Sequence, residues 1–382
     1  MKILFNASTN NKGGALQTAS NFIKEILKIN DKKTTWFFMI SPQIHNELKS
    51  FNMSTEDMII IETSPSKNKE MRKKLLEIEN KIAPDLVYTM SGPAYVKFRS
   101  THIMGCTHPY ITNADLESYM ILKNPMTIFL TFLKTVFQAY YFRKADYWIF
   151  QTDYSRKNFV RRMRINDNKT FTVSNTCGEH YLQAAKKSNE NRIENKKKIN
   201  IFVPSAAYPH KNLDIIPHVA YHMKQHFSSN KSKYIINFIL TLPQDSTEMK
   251  HIFANADKLN VKEMIMNKGP FRLSEGPGLY AQADILFLPT ILEVFSGAFA
   301  EAMAMRIPIV TTNKFFIVDV CKNGALYFEP RNDKEASRQI INLIENPKFK
   351  DKLVNNASIV FKTIPTIEER TKKIVKILNT IA

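Results

Sequence analysis

Cysteine, glycine and acidic residues are all scarce in this chain. Three cysteines among 382 residues, Cys106, Cys177 and Cys321, stand far apart, with no Cys-x-x-Cys spacing and no histidine pair nearby. That excludes a disulfide framework or a zinc finger and fits a reducing cytoplasm. The ten glycines include no complete Gly-x-Gly-x-x-Gly, so a dinucleotide fingerprint in the strict sense is missing. No apolar run reaches the length of a membrane span, and Met1-Lys-Ile-Leu-Phe-Asn-Ala-Ser8 turns polar too early for a signal peptide. There is no Asp-x-Asp to hold a divalent cation. No Arg-Gly-Phe stacking motif or Cys/His cluster speaks for nucleic acid. Asp plus Glu number 35 against 54 Lys plus Arg, a formal charge of +19, which favours polyanions or an acidic membrane surface, or serves solubility alone.

What is present is ample for two cores. The length and 44% hydrophobic residues argue for two folded domains rather than a disordered chain. Short apolar runs at Lys2 to Ala7, Thr35 to Ile40, Met58 to Glu62, Asp85 to Met90, His102 to Cys106, Tyr147 to Gln151 and Phe171 to Ser174 predict strands separated by helical or polar segments. The stretch 184–198, dense in Lys, Asn, Ser and Glu, reads as a solvated linker or exposed hairpin. The alternation then restarts at Ile199 to Ser205, Tyr234 to Leu240, Val261 to Met266, Asp284 to Leu288, Ile307 to Thr312 and Ala325 to Phe328, and ends in a helical tail. This pattern predicts an α/β fold of two doubly wound domains, residues 1–183 and 199–365, with ligands beyond the carboxyl ends of parallel strands.

One stretch organises the second domain. Ile285-Leu-Phe-Leu-Pro289 reads as a strand buried on both faces, and Ser296 to Met305 as an N-capped helix stopped by Pro308. Glu293 falls in the intervening loop and Glu301 one turn inside the helix, its carboxylate leaning back toward the amides of Ser296, Gly297 and Ala298. Free amides attract anions, and a carboxylate beside them accepts hydroxyl protons. The pair suits a sugar nucleotide, with diphosphate on the helix start and ribose on Glu301.

Glu293, Phe295, Glu301, Ala302, Met303, Ala304 and Pro308 make the stretch resemble the retaining, two-domain (GT-B) family-4 glycosyltransferases of bacterial surface polysaccharides. Their motif is a Glu, seven residues, a second Glu, then Ala-Met-Ala and a Pro. Ser296 and Arg306 stand where that family usually has Gly, and Ala206 where it has Arg. The resemblance implies two Rossmann-like domains facing across a cleft, with the last helix, 366–382, packed back on the first. It implies transfer of a hexose from a nucleotide diphosphate sugar to a saccharide or lipid-linked saccharide with retention, and no cofactor or metal beyond that donor. Glu301 would hold the ribose, and Glu293 the sugar hydroxyls or developing positive charge. Gly13, Gly14, Ser296, Gly297, Ala298 and Lys211 would stabilise the diphosphate.

Several further positions carry expectations. Asn11-Lys-Gly-Gly14 follows the first strand, and its two glycines permit positive φ and close approach, for a diphosphate or for a plain turn. Lys211-Asn212 matches the family's pyrophosphate lysine, and the charge missing at Ala206 would come from Lys211, helix amides, or another base such as His210, Lys12 or Arg272. His108, in Cys106-Thr-His-Pro109, would sit near the transferred sugar, whereas His102 reads as core. Phe271, in Lys268-Gly-Pro-Phe-Arg-Leu273, would border the base or belong to the core. Residues Pro125 to Lys144 place Phe129, Phe132, Leu133, Val136, Phe137, Tyr140 and Tyr141 at helical spacing and predict a core helix. Lys157, Arg161, Arg162, Arg164 and Lys67 to Lys74 would dock the first domain peripherally on the inner, acidic face of a membrane, or bind nothing in particular. The rival readings are a nucleotide-sugar epimerase or hydrolase on the same plan, and a noncatalytic basic module binding polyanion or membrane.

Overall fold

In the computed structural model, residues 1–29, 33–188, 197–230 and 234–382 are described. The chain divides into two compact units. One comprises Met1–Ala114, Asn124–Thr176 and Pro365–Ala382, the other Asp115–Lys123 and Cys177–Ile364.

Strands β1 (Lys2–Ala7), β2 (Thr35–Ile40), β3 (Ile59–Ile60), β4 (Leu86–Thr89), β5 (Thr101–Cys106), β6 (Tyr147–Phe150) and β7 (Thr170–Thr172) form the sheet of the first unit. Their order is β3-β2-β1-β4-β5-β6-β7, with parallel pairing throughout. Side chains alternate between the faces, and both faces are covered. Ile3, Phe5 and Ala7 join one core with Phe22, Ile374 and Leu378, while Leu4, Val87 and Met104 join a second core on the other face. Ile374 and Leu378 come from the last helix, Ile367–Ile381, which packs against the helix Gly13–Lys28. The tail therefore completes a core begun at the opposite end of the sequence.

The second unit repeats the plan with β8 (Lys198–Val203), β9 (Ile235–Leu240), β10 (Ile265–Asn267), β11 (Ile285–Leu288), β12 (Ile309–Thr312) and β13 (Ala325–Phe328), again parallel, in the order β10-β9-β8-β11-β12-β13. Ile201, Val203, Phe238, Leu240, Ile285, Phe287 and Val310 line its main core. A turn at Lys262–Met264 delays β10 to Ile265, later than the apolar run from Val261 suggests. In each sheet the strand order reverses beside its first strand, β1 with β4 and β8 with β11. Loops leaving the carboxyl ends of such a pair diverge and open a crevice.

Three features depart from the sequence-based expectation. The second unit starts at Cys177, ahead of the expected polar stretch, because the helix Glu179–Ser188 packs on the helices Gly276–Ala281 and Gly297–Ala304. Residues 189–196, the middle of the expected linker, lie outside the described residues. Next, Asp115–Lys123 leaves the first unit and joins the second: Lys314 Nζ bonds Asp115 at 2.8 Å and also Glu117, and Lys123 bonds Asp214 at 2.8 Å. Its short helix, Leu116–Met120, is held by a capping box between Asp115 and Ser118. Third, the expected core helix, Pro125–Phe142, is not a core helix, since only Gln138 and Phe142 of it are buried. Helical spacing of apolar residues identifies the helix but not the face it turns to the protein.

Gly105, in β5, marks a close approach of two backbones. Its carbonyl accepts the Gly92 amide at 2.8 Å, and a methyl group there would stand 2.0 Å from the Met90 carbonyl oxygen. Gly105→Ala is therefore expected to cost about 1–3 kcal/mol through forced displacement. Gly278→Ala, with nothing within 4 Å of the new carbon, serves as the control. Urea unfolding midpoints of the two variants check this, and equal midpoints would contradict it.

Candidate functional site

The loops that follow β8 and β11 bring together the sequence-predicted residues of the second unit. After β8, Ser205 donates its amide to Thr241 Oγ1 at 3.2 Å. The chain then makes a short turn, Pro209–Lys211, and Asn212 takes up a left-handed conformation at φ 54°. The Ile291 amide, beyond β11, donates to the His210 carbonyl at 2.8 Å, so the two loops are stitched backbone to backbone. Lys211 Nζ thereby meets Glu293 Oε2 in an ion pair whose side chains retain 17% and 19% of their exposure. Burial pushes the Glu293 carboxyl up, but the Lys211 ammonium and its hydrogen bond, with His210 and the Val294 amide adding to them, hold it below the ordinary value. Removing either partner would strand a largely buried charge, a loss on the order of 3 kcal/mol.

His210 stacks on Tyr208 at 5.4 Å between ring centroids. Its pKa is lowered to about 4, first by burial and then by the neighbouring Lys211. The imidazole is thus neutral near pH 7, which removes His210 from the alternatives expected to make up for Ala206 and leaves Lys211 among them. Lys211 is the cation of this corner.

Ser296 occupies the N-cap of the helix Gly297–Ala304 with extended backbone, φ −85° and ψ 122°, but its hydroxyl makes no capping bond. The expectation of a serine side-chain cap therefore fails. The helix start is left to backbone amides, which are donors suited to an anion. Glu301 projects back toward them, its Oε1 lying 3.5 Å from where a Gly297 side chain would begin. The same carboxylate accepts the Tyr280 hydroxyl at 2.7 Å and a hydrogen bond from Tyr181. Tyr181 and Tyr280 cross edge to face at 5.4 Å, and Phe202 packs on Tyr280 at 5.0 Å. Burial raises the Glu301 carboxyl to about 7, with the two tyrosine donors opposing the rise. Both tyrosine hydroxyls are held above their ordinary range by burial and the adjoining carboxylate.

Phe271 is half-buried, 6.5 Å from Phe202 between ring centroids, and it approaches Gly276, whose missing side chain makes room for the Tyr181 hydroxyl. Gly269 before it takes φ +77°. At the other end of the helix Gly297–Ala304, Ile307 N bonds Ala302 O and Arg306 N bonds Met303 O, a Schellman closure with Arg306 at φ 54°. A glycine would take this angle without strain. Arg306 instead adopts it at a cost of about 1–2 kcal/mol, and its guanidinium bonds Ser358 and Asn355, both at 3.0 Å, on the helix Pro347–Phe361.

Gly13, Gly14 and His108 belong to the first unit. Gly13 opens the helix after β1 at φ +59°, and neither glycine has an atom within 4 Å of an added side chain. Only Gly13 uses the positive φ expected of both. This loop stands at the switch point of its sheet, beside β4, where Thr9 Oγ1 bonds the Ser91 carbonyl at 3.1 Å. His108, after β5, caps the short helix Pro109–Thr112 with its carbonyl. His102 is fully buried, bonded to Thr89 at 2.8 Å, and held near a pKa of 3 by burial. Two of the bases expected to face a membrane are otherwise engaged. Arg162 donates to the Ile111 and Ala114 carbonyls, and Arg72 to the Pro65 and Ser66 carbonyls and the Tyr141 hydroxyl.

Sequence reasoning missed Tyr181 and Tyr280. The one available signal was Gly276-Pro-Gly-Leu-Tyr280, a helix start too rich in glycine for its length.

The unfolded Glu301 carboxyl ionises near 4.5 and the folded one near 7, so between these values the native chain keeps a proton that the unfolded chain has lost. Stability from this group is full below about 4.5 and is lost as pH rises through 7, by on the order of 3 kcal/mol. Glu301→Gln keeps the neutral form at every pH. Its melting temperature relative to the parent should therefore climb from pH 5 to pH 8, and a pH-independent difference would contradict the assignment.

Residues 183–359, a little under half of the chain and all within the second unit, match the family model described as Glycosyl transferases group 1. Over 157 residues the chain is 27% identical to the O-antigen chain mannosyltransferase RfbU of Salmonella typhimurium, a match spanning 41% of each protein. A glycosyltransferase from Rickettsia africae superposes with TM-score 0.70 at 18% identity, covering 100% of this chain and 98% of that one. Anabaena HepE in complex with UDP-glucose gives TM-score 0.72 at 14% identity, covering 100% of both. At these identities the structural likeness establishes the fold, the GT-B class, and the second unit is the part that matches the group 1 glycosyltransferases by sequence.

Proposed function

We propose that the protein transfers a hexose, with retention, from a nucleotide diphosphate sugar to a hydroxyl of a saccharide or lipid-linked saccharide in surface polysaccharide synthesis. The observation that carries this reading is the meeting of Lys211, Glu293 and the uncapped helix start at Gly297 at the switch point of the second sheet. There the amides of Gly297 and Ala298 and the Lys211 ammonium receive the diphosphate, and charge on the leaving phosphate is met by donors already in position. Phe271 borders the base. Ionised Glu301 accepts the ribose hydroxyls, while Tyr181 and Tyr280 fix its orientation. Glu293, steadied by Lys211, faces the sugar hydroxyls and the positive charge that develops as the glycosidic bond breaks. The departing phosphate oxygen takes the acceptor proton on the face of attack, so no separate base is needed. For the first unit the reading assigns Gly13 and Gly14 to donor binding and His108 to catalysis. The reading includes peripheral contact with an acidic membrane surface, where a lipid-linked acceptor is met.

The Salmonella relative is named for mannosyl transfer and the Anabaena structure holds UDP-glucose. Nucleotide diphosphates of mannose and glucose therefore head the donor panel. Lys211→Ala should weaken binding of the preferred nucleotide diphosphate about 10- to 100-fold, as expected for loss of a charge-assisted contact, while Arg272→Ala changes it little. Calorimetry measures both, and mass spectrometry of acceptor products tests transfer. Unaltered binding in Lys211→Ala, or free sugar and epimer in place of a glycosylated acceptor, would refute the proposal.

A further inference from the structure

We infer that the outer face of the helix Pro125–Phe142 seats the protein on an acidic lipid surface. The inference rests on the reading of a lipid-linked acceptor given above and adds the surface that would meet it.

The helix is apolar on the face it turns away from the protein as well as in part of the face it turns inward. Ile128, Thr131, Thr135, Gln138, Ala139 and Phe142 form its inner stripe, polar and apolar residues mixed. Gln138 is buried and bonds the Tyr95 hydroxyl at 3.1 Å, and Phe142 is buried against Phe159. The outer stripe is apolar and bare: Phe129, Leu130, Leu133, Val136, Phe137 and Tyr140 are each 46–56% exposed, and Met126 at the helix start is 64% exposed. Aromatic side chains offer about 150–250 Å² apiece, so rings half-exposed here, together with the aliphatics between them, pass the few hundred Å² a monomer ordinarily leaves bare.

Charge selects the occupant. No acid occurs between Pro125 and Phe142. Lys134 is exposed on the helix itself, Arg143 and Lys144 follow it, and Lys144 lies 4.3 Å from the Tyr140 ring centre. The helix Lys69–Ile82, tied alongside by the Arg72 bond to Tyr141, adds exposed Lys69, Lys73 and Lys81 against two exposed acids, Glu70 and Glu77. A second copy of the chain placed face to face would oppose these bases to themselves with no carboxylate on the helix to answer them. An anionic headgroup layer answers both features at once, taking the rings at its acyl boundary and the ammonium groups at its phosphates. Among the described residues no helix is long and apolar enough to cross a membrane, and Gln138 and Phe142 pin this one flat against its own unit. It therefore lies on the surface rather than through it.

Flotation of the full chain with vesicles of phosphatidylglycerol and phosphatidylcholine tests the inference. Binding is expected to the mixed vesicles, to fall as salt is raised, and to be absent with phosphatidylcholine alone. The triple variant F129S/L133S/V136S should lose about tenfold or more of the bound fraction. Lys134→Glu with Lys144→Glu, which leaves every apolar contact in place, should weaken binding in the same direction. Undiminished binding in both variants, equal binding to uncharged vesicles, or sedimentation showing a parent dimer that the triple variant converts to monomer would each overturn the inference. Nucleotide binding measured on the same samples is read separately: its absence sinks the transfer reading and leaves the vesicle result standing.

Discussion

The hydrogen bond from the Ile291 amide to the His210 carbonyl is small in energy and decisive in position. It exists because β8 and β11, far apart in sequence, lie side by side where the order of the second sheet reverses. Loops leaving two such strands would diverge, and this bond holds theirs together. It brings Lys211 against Glu293 and leads directly into the helix start at Gly297. Parallel strands impose the crevice; one backbone bond gives it a defined width.

Electrostatics in the crevice are divided between two carboxylates of opposite character. Glu293 has a cation against it and stays ionised despite its burial. Glu301 has only neutral hydroxyl donors and is driven toward protonation by the same loss of water. Two glutamates eight residues apart thus acquire different chemistry from their neighbours alone, the pattern expected where a binding surface must offer both a fixed anion and a tunable acceptor. The neutral imidazole of His210 sharpens the contrast by leaving Lys211 as the cation beside them.

Much of this was legible in the sequence. Strands buried on both faces appear as unbroken apolar runs, so every strand from β1 to β13 overlaps such a run, sometimes to the residue, as at Lys2–Ala7, Thr35–Ile40 and Ala325–Phe328, and least at β10. Local pattern also located the helix behind Glu301 and the switch-point loops bearing Lys211 and Gly13. Long-range relations were not legible. Tyr181 and Tyr280 converge on Glu301 only after the helix Glu179–Ser188 docks on the second unit, and no spacing announces that. The segment Asp115–Lys123 joins that unit through Lys314, a pairing across just over half the chain. The helix Pro125–Phe142 shows a further gap, because the sequence reports apolar residues but not whether protein covers them.

Arg306 ties the far end of the helix Gly297–Ala304 to the helix behind it. A glycine would accept the left-handed turn without strain and would leave Ser358 and Asn355 to water. With arginine the turn is strained, and the two bonds its side chain makes, both at 3.0 Å, offset the strain. Positions 306, 355 and 358 are therefore coupled: exchanging the arginine for glycine would lose only the tether, whereas exchanging Asn355 or Ser358 alone would leave the strained turn with less to balance it.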